Sequence, residues 1–240
     1  MAEIYVVASG KGGVGKSSFV AGVTKALASM DKKVLAVDGD IGLRSLDLLF
    51  GCADKVVFDW GDVVLGQCEA EKAVVGGKVD LLAAPRNYND EFSSEKLKNA
   101  LGELFEKYDY VFFDAPAGID TGFKIAAGCA DKAILVTTPD VVCVRSCGRA
   151  GNELQAMGRD DVRLVVNMFD MKPVEKGKLL NIDECMDETC IPLIGAVPMD
   201  RKLAYAPVTG KEPGKSAAST KAFLRIAKRI TGEKVRIEIE

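Results

Sequence analysis

Residues Gly10 to Ser17 read GKGGVGKS, a G-x-x-x-x-G-K-[ST] phosphate loop that carries a second lysine, Lys11, directly after its first glycine. Such a loop constrains the fold because its chemistry requires a strand before it and a helix after it. The preceding run IYVVAS is apolar and β-branched, and the following run SSFVAGVTKALASM places Phe19, Val20, Val23, Leu27 and Met30 on one helical face. A triphosphate needs several N–H donors converging on its oxygens at the positive end of a helix, and glycine lets the backbone approach that closely. Gly10, Gly12, Gly13 and Gly15 supply that freedom, with Val14 among them and Ser18 next in the helix. Lys16 is placed to neutralise the β- and γ-phosphates, and the Ser17 hydroxyl is an oxygen donor of the kind magnesium takes beside phosphates.

Further apolar runs recur at KVLAVD from Lys33, VDLLAAP from Val79, YVFFDAP from Tyr110, AILVTTP from Ala133, RLVVN from Arg163 and LIGAVP from Leu193. They are continuous rather than alternating, and helical periodicities such as Leu97, Ala100, Leu101, Leu104 and Phe105 separate several of them. This pattern predicts an α/β fold, one domain over residues 1–240, with a mostly parallel sheet covered by helices on both faces. Ligand chemistry then gathers at the carboxyl ends of the strands. Asp38 and Asp40 follow the second run and Asp114 ends YVFFD, so acidic groups cluster where a magnesium–nucleotide site is expected.

Composition narrows the chemistry. The chain has 240 residues with 32 basic and 35 acidic side chains, a net charge of −3, which gives no global basic field for nucleic acid. Histidine is absent, so catalysis rests on carboxylates, lysines, backbone amides and metal. The seven cysteines are an odd set without C-x-x-C spacing, which argues against a disulfide framework and a structural zinc site. Cys143 and Cys147 stand one turn apart on a predicted helix, and Cys185 and Cys190 flank a short acidic segment. No apolar run approaches a membrane span and the N-terminus enters its first strand at once, so a cytoplasmic protein is expected.

With Lys11, Asp40 and DAPAG in place, the chain resembles the deviant phosphate-loop ATPases of the MinD and ParA family. The segments VDGDIGLRSLDLLFG from Val37, DYVFFDAPAGIDTG from Asp109, ADKAILVTTPDVVCVRS from Ala130 and GAVPMD from Gly195 carry the resemblance beyond the loop. It implies an ATPase that hydrolyses ATP to ADP and phosphate with Mg2+, dimerises when ATP-bound, and acts as a regulatory switch in division-site placement. The Lys11 position then reaches across a homodimer to the partner's phosphates, Asp40 orients the attacking water, and Asp38 and Asp114 hold magnesium and its waters. Gly118 lets a second switch respond to the γ-phosphate, while Arg44 and Ser45 lie in the first.

The same resemblance assigns Asn167 to the adenine edge, with Pro198 and Asp200 passing behind the base. The run Asn167, Met168, Phe169, Asp170 also echoes the guanine-reading N-K-x-D of GTPases, but without its lysine, which favours ATP. A regulatory protein partner of the MinC or MinE kind is implied, possible readings beside it being a metal or iron–sulfur maturation ATPase and a DNA-segregating ATPase. The acidic balance lowers DNA binding. The family's membrane-docking basic amphipathic C-terminal helix is not expected in this sequence, and the alternative expectation to a purely cytoplasmic protein is a peripheral one at the inner face of the membrane. The stretch from Ser219 places Phe223, Ile226, Ala227 and Ile230 on one face and is read as core, and Val235, Ile237 and Ile239 alternate as in a strand.

Overall fold

The computed structural model describes residues 1–209 and 213–238, with backbone alone for 207–209. Eight strands form one sheet in the order β3-β4-β2-β5-β1-β6-β7-β8. They are β1 (Glu3–Ala8), β2 (Val34–Asp38), β3 (Val74–Val75), β4 (Asp80–Leu82), β5 (Tyr110–Asp114), β6 (Lys132–Thr137), β7 (Val162–Phe169) and β8 (Leu193–Pro198). Every pairing is parallel except β3 with β4. The seven apolar runs each become a strand. The eighth, β3, is two residues long before Gly76 and Gly77, too short to leave a periodic signal.

The helices are α1 (Lys16–Ala28), α2 (Leu46–Leu49), α3 (Trp60–Val64), α4 (Ala70–Ala73), α5 (Ser94–Phe105), α6 (Thr121–Cys129), α7 (Val141–Ala156), α8 (Met171–Glu175), α9 (Ile182–Thr189), α10 (Arg201–Thr209) and α11 (Ala218–Ile230). Side-chain alternation along each strand divides the interior in two. Val6, Ala8, Val111 and Phe113 pack against α3, α5, α6, α7 and α9, whereas Tyr5, Val7, Phe112 and Val136 pack against α1 and α11. The expected two covered faces are therefore present.

Two details depart from the sequence reading. Helix α1 stops at Ala28, where Ser29 and Met30 close short turns back to Lys25 and Leu27 and Asp31 takes φ 60°, so Met30 packs from a turn and not from the helix. The tail after α11 forms no strand over residues 233–238; Arg229 donates to the carbonyls of Val235 and Arg236 and so occupies the polar groups a ladder would use. Ile239 lies outside the described residues. In α11 itself, Phe223, Ile226, Ala227 and Ile230 are buried, as the core reading requires. No helix among the described residues is long and apolar enough to cross a membrane.

Strand β1 sits between β5 and β6, and the chain leaves it toward β2 on one side and later toward β7 and β8 on the other. The loop after β1 thus opens into the crevice where the connections diverge. Register brings Asp114 of β5 level with both Val7 of β1 and Asp38 of β2.

Candidate nucleotide site

The phosphate loop leaves β1 at Ser9 and turns into α1 at Lys16. Gly13 and Gly15 take φ of 81° and 82°, the left-handed region in which a Cβ is strained, so both glycines are required by the turn itself. Gly10 is required for another reason: its backbone lies against that of α7 at Ser146 and Cys147. The loop is tied further by Ser9 Oγ, which donates to the Lys11 carbonyl at 3.0 Å, and by Gly118 N–H, which donates to the Ser9 carbonyl at 3.1 Å. Gly118, with φ 92°, thereby links the segment after β5 to the loop.

Lys16 is buried and its Nζ donates to Asp114 Oδ1 at 2.6 Å. Burial raises the Asp114 pKa, and Lys16 followed by the Ser17 hydroxyl works against that rise. The second oxygen, Asp114 Oδ2, is buried without a hydrogen-bond partner. Ser17 and this orphaned carboxylate oxygen form an all-oxygen donor set of the kind magnesium prefers, so the residues present fit that ion.

Asp38 is equally buried, but its oxygens are committed to the backbone of the segment that follows β2. Oδ1 accepts the Asp40 N–H at 3.0 Å, and Oδ2 accepts those of Ser45 at 2.9 Å and Leu46 at 3.0 Å. Burial pushes its pKa up, the backbone donors oppose this, and the neighbouring Asp114 adds to it. Asp40 is partly exposed; burial again raises its pKa, Lys16 lowers it and Asp38 raises it. Arg44, at φ 42°, pairs with Asp47 at 2.7 Å and shapes the same segment.

Lys11 is exposed at the mouth of the loop, with no ion pair among the described residues. Its charge helps to hold the Asp140 carboxyl below the usual range, after the hydrogen bonds that Cys143 and Thr138 make to that carboxylate outweigh burial. Asp140 caps α7 through Cys143 N–H at 3.0 Å, and the sequence reading did not single it out. A TTPD turn opening a helix was the available signal.

Asn167 lies against the phosphate loop, where its Nδ2 donates to the Val14 carbonyl at 2.8 Å. One amide hydrogen is used there, leaving the other and Oδ1 as one donor and one acceptor. Pro198 pairs in register with Phe169, and Met199 N–H donates to the Phe169 carbonyl at 2.9 Å, so this segment runs beside the end of β7 that carries Asn167. Asp200 accepts from Lys202 N–H at 2.9 Å and from Ser219 Oγ at 2.5 Å, tying α10 to α11. Ser18 opens onto a cavity of about 620 Å³ between α1, α2 and α11, lined also by Lys25, Phe50, Leu203 and Phe223 and by none of the residues from Gly10 to Ser17.

Helix α7 brings two cysteines to the loop, Cys143 through its bond to Asp140 and Cys147 through its backbone against Gly10. Cys129, Cys147 and Cys185 are buried and their thiols are each pushed up to about 12, mainly by burial, which keeps them protonated and poor metal ligands at neutral pH.

Comparison with known proteins agrees with this geometry. The ParA family model, described as a NUBPL iron-transfer P-loop NTPase, matches residues 1–231. The septum site-determining protein MinD of Bacillus subtilis is 40% identical over all of this chain and 92% of its own length, and MinD of Synechocystis is 36% identical over 98% and 91%. Among solved structures, the MinC:MinD cell division protein complex of Aquifex aeolicus superposes with a TM-score of 0.91 at 35% identity, covering 99% of each chain. MinD of Pyrococcus horikoshii, complexed with Mg-ADP, gives 0.85 at 27% identity over 96% of each. A two-lysine phosphate loop, acidic ends on the neighbouring strands and this sheet order occur together because the chain belongs to the MinD and ParA family of P-loop NTPases.

Proposed function

We propose that this chain is a regulatory ATPase of division-site placement, a single domain that pairs with a second copy on binding ATP, hydrolyses it to ADP and phosphate, and recruits a MinC- or MinE-like protein. The observation that carries the reading is the placement of Lys11. It stands exposed in a loop whose other lysine already faces Asp114, and exposed apolar residues follow the same, carboxyl, ends of neighbouring strands. Leu43 after β2, Ile119 after β5, and Val141 and Val142 after β6 are exposed by 79%, 42%, 46% and 59%. Exposed apolar residues gathered around a binding crevice mark an interaction surface. A second copy would cover it and bring a lysine to the phosphates from outside.

Within one subunit, the amides of Gly12 to Ser18 would cradle the phosphates and Lys16 would follow the β- and γ-phosphates. Magnesium, held by Ser17 with Asp38 and Asp114 behind it, would neutralise charge on the phosphate oxygens. Asp40 would orient the attacking water, and Lys11 of the other subunit would stabilise charge developing on the transferred group. Asn167, with Pro198 and Asp200 beside it, would hold adenine through its remaining donor and acceptor. The switch segments at Asp38 to Leu46 and at Gly118 would then order or relax with the γ-phosphate.

The relatives' names and the MinC:MinD assembly support the division-site role for this chain. The apolar face of α11 is packed in the core, so that helix is not available as an interfacial membrane anchor. The reading places the protein in the cytoplasm, with any approach to the inner face of the membrane made through other residues. Phosphate release and molar mass by light scattering, with Mg-ATP against Mg-ADP, test it: turnover with a doubled mass in Mg-ATP alone is expected. A chain that stays monomeric, or hydrolyses at the same specific rate at every dilution, overturns it.

A further inference from the structure

The chain has one tryptophan, and the fold brings it to the nucleotide site. Trp60 opens α3, is 2% exposed and sits edge-on to Phe92, with ring centroids 4.8 Å apart. A buried indole N–H needs an acceptor. It donates to the main-chain carbonyl of Asp38 at 2.8 Å. The next residue, Gly39, donates its N–H to the Asp114 carbonyl at 2.9 Å. The peptide unit between Asp38 and Gly39 is thereby held at both polar atoms, by α3 on one side and by the end of β5 on the other. Helix α3 is itself fixed, by a capping box between Asp59 and Asp62 and by Trp60 N–H donating to the Ala83 carbonyl at 3.1 Å.

We propose that Trp60 is a positioning residue for the nucleotide site: its indole hydrogen bond anchors the backbone at the exit of β2, where the Asp38 and Asp40 carboxylates stand on either side of Gly39. The inference rests on the ATPase reading and adds to it a residue outside the phosphate loop and both switch segments. Without this anchor the backbone from Asp38 to Asp40 can shift as a piece, and the two residues are coupled further because the Asp40 N–H donates to Asp38 Oδ1 at 3.0 Å. In-line attack is sensitive to displacements of about 1 Å, so the effect falls on turnover more than on binding. A phenylalanine can keep much of the aromatic contact with Phe92, and the N–H is what the indole adds.

Trp60→Phe tests this by steady-state ATP hydrolysis. kcat is expected to fall about five- to tenfold while KM and the Kd for Mg-ATP stay within about twofold. Phe92→Leu loosens the same aromatic contact but keeps the indole donor, and is expected to hold kcat within about twofold of the wild type. A Trp60→Phe enzyme with wild-type kcat, or a Phe92→Leu enzyme with the same loss, overturns the proposal. A second measurement needs neither variant nor turnover. In 15N-labelled protein the one indole N–H gives one resonance, expected to exchange slowly with water and to shift when a non-hydrolysable Mg-ATP analogue is added. A fast-exchanging resonance that ignores the analogue overturns the proposal even where Trp60→Phe does not fold. Wild-type protein without ATP hydrolysis would sink the ATPase reading, and the indole resonance would still report on the peptide.

Discussion

A side-chain carbon on Gly10 would stand 2.0 Å from the Ser146 carbonyl oxygen, so the first glycine of the phosphate loop is pressed directly onto the backbone of α7. Backbone on both sides leaves neither partner a cheap way to move. At Gly12 the nearest atom to such a carbon is the Ala117 Cβ, 3.8 Å away, an ordinary contact. Gly10→Ala is therefore expected to lose about 2 kcal/mol or more of folding stability, and Gly12→Ala to stay within about 0.5 kcal/mol of the parent. Denaturant midpoints measure both, and equal midpoints for the two variants would contradict the packing argument.

Lys11→Ala leaves the subunit's own loop, Lys16 and Ser17 in place. ATP binding is expected to change less than about threefold, whereas ATP-dependent pairing disappears and turnover falls about a hundredfold. Light scattering in Mg-ATP is the decisive measurement; a dimer of undiminished mass removes Lys11 from its proposed role.

Asp40 has a pKa above its ordinary 3.8 because burial outweighs the attraction of Lys16. Orienting water requires the carboxylate, so the sign is that activity is lost as pH falls through this raised pKa, at a higher pH than an ordinary aspartate would give. The acidic limb of kcat/KM against pH, which reports the free enzyme, is expected above 3.8. Asp40→Ala is expected to bind ATP and accumulate as the paired form; phosphate release at the wild-type rate would exclude the assignment.

Asp114→Asn keeps the shape of the side chain and removes the charge that faces Lys16. The magnesium concentration for half-maximal turnover is expected to rise at least about tenfold. Chelation of magnesium should abolish turnover in the parent. A variant with an unchanged magnesium requirement would dissociate Asp114 from the ion.

Replacing Asn167 with alanine leaves the Val14 carbonyl without its donor, at an expected cost of about 1–3 kcal/mol in folding stability. If the remaining amide groups read adenine, the preference for ATP over GTP collapses as well. Competition between the two nucleotides for the wild type and for Asn167→Ala separates these effects, since a purely structural Asn167 weakens both nucleotides equally.

The strands and the phosphate loop were legible in the sequence because their signals are local. A continuous apolar run states its own burial, and glycine spacing states where backbone must turn. Gly13 and Gly15 could be recognised in this way, and the structure finds both in the left-handed region. Gly10 carries the same letter for a different reason, since its partner Ser146 lies far along the chain on α7. The tail shows the converse: Val235 and Ile237 alternate as a strand would, yet a guanidinium from α11 takes up the carbonyls beside them.

By itself the sequence determined the strand, loop and helix that grip a phosphate, the acidic residues at neighbouring strand ends, and the exclusion of histidine chemistry. Only the tertiary structure decided which of these groups meet. Lys16 finds Asp114 across 98 residues and Asn167 finds Val14 across 153, because parallel strands order themselves in the sheet by packing and register and not by chain order. Trp60 reaches the Asp38 carbonyl for the same reason: a buried donor is satisfied by whichever acceptor the folded core places beside it, and no periodicity in the chain encodes that neighbour.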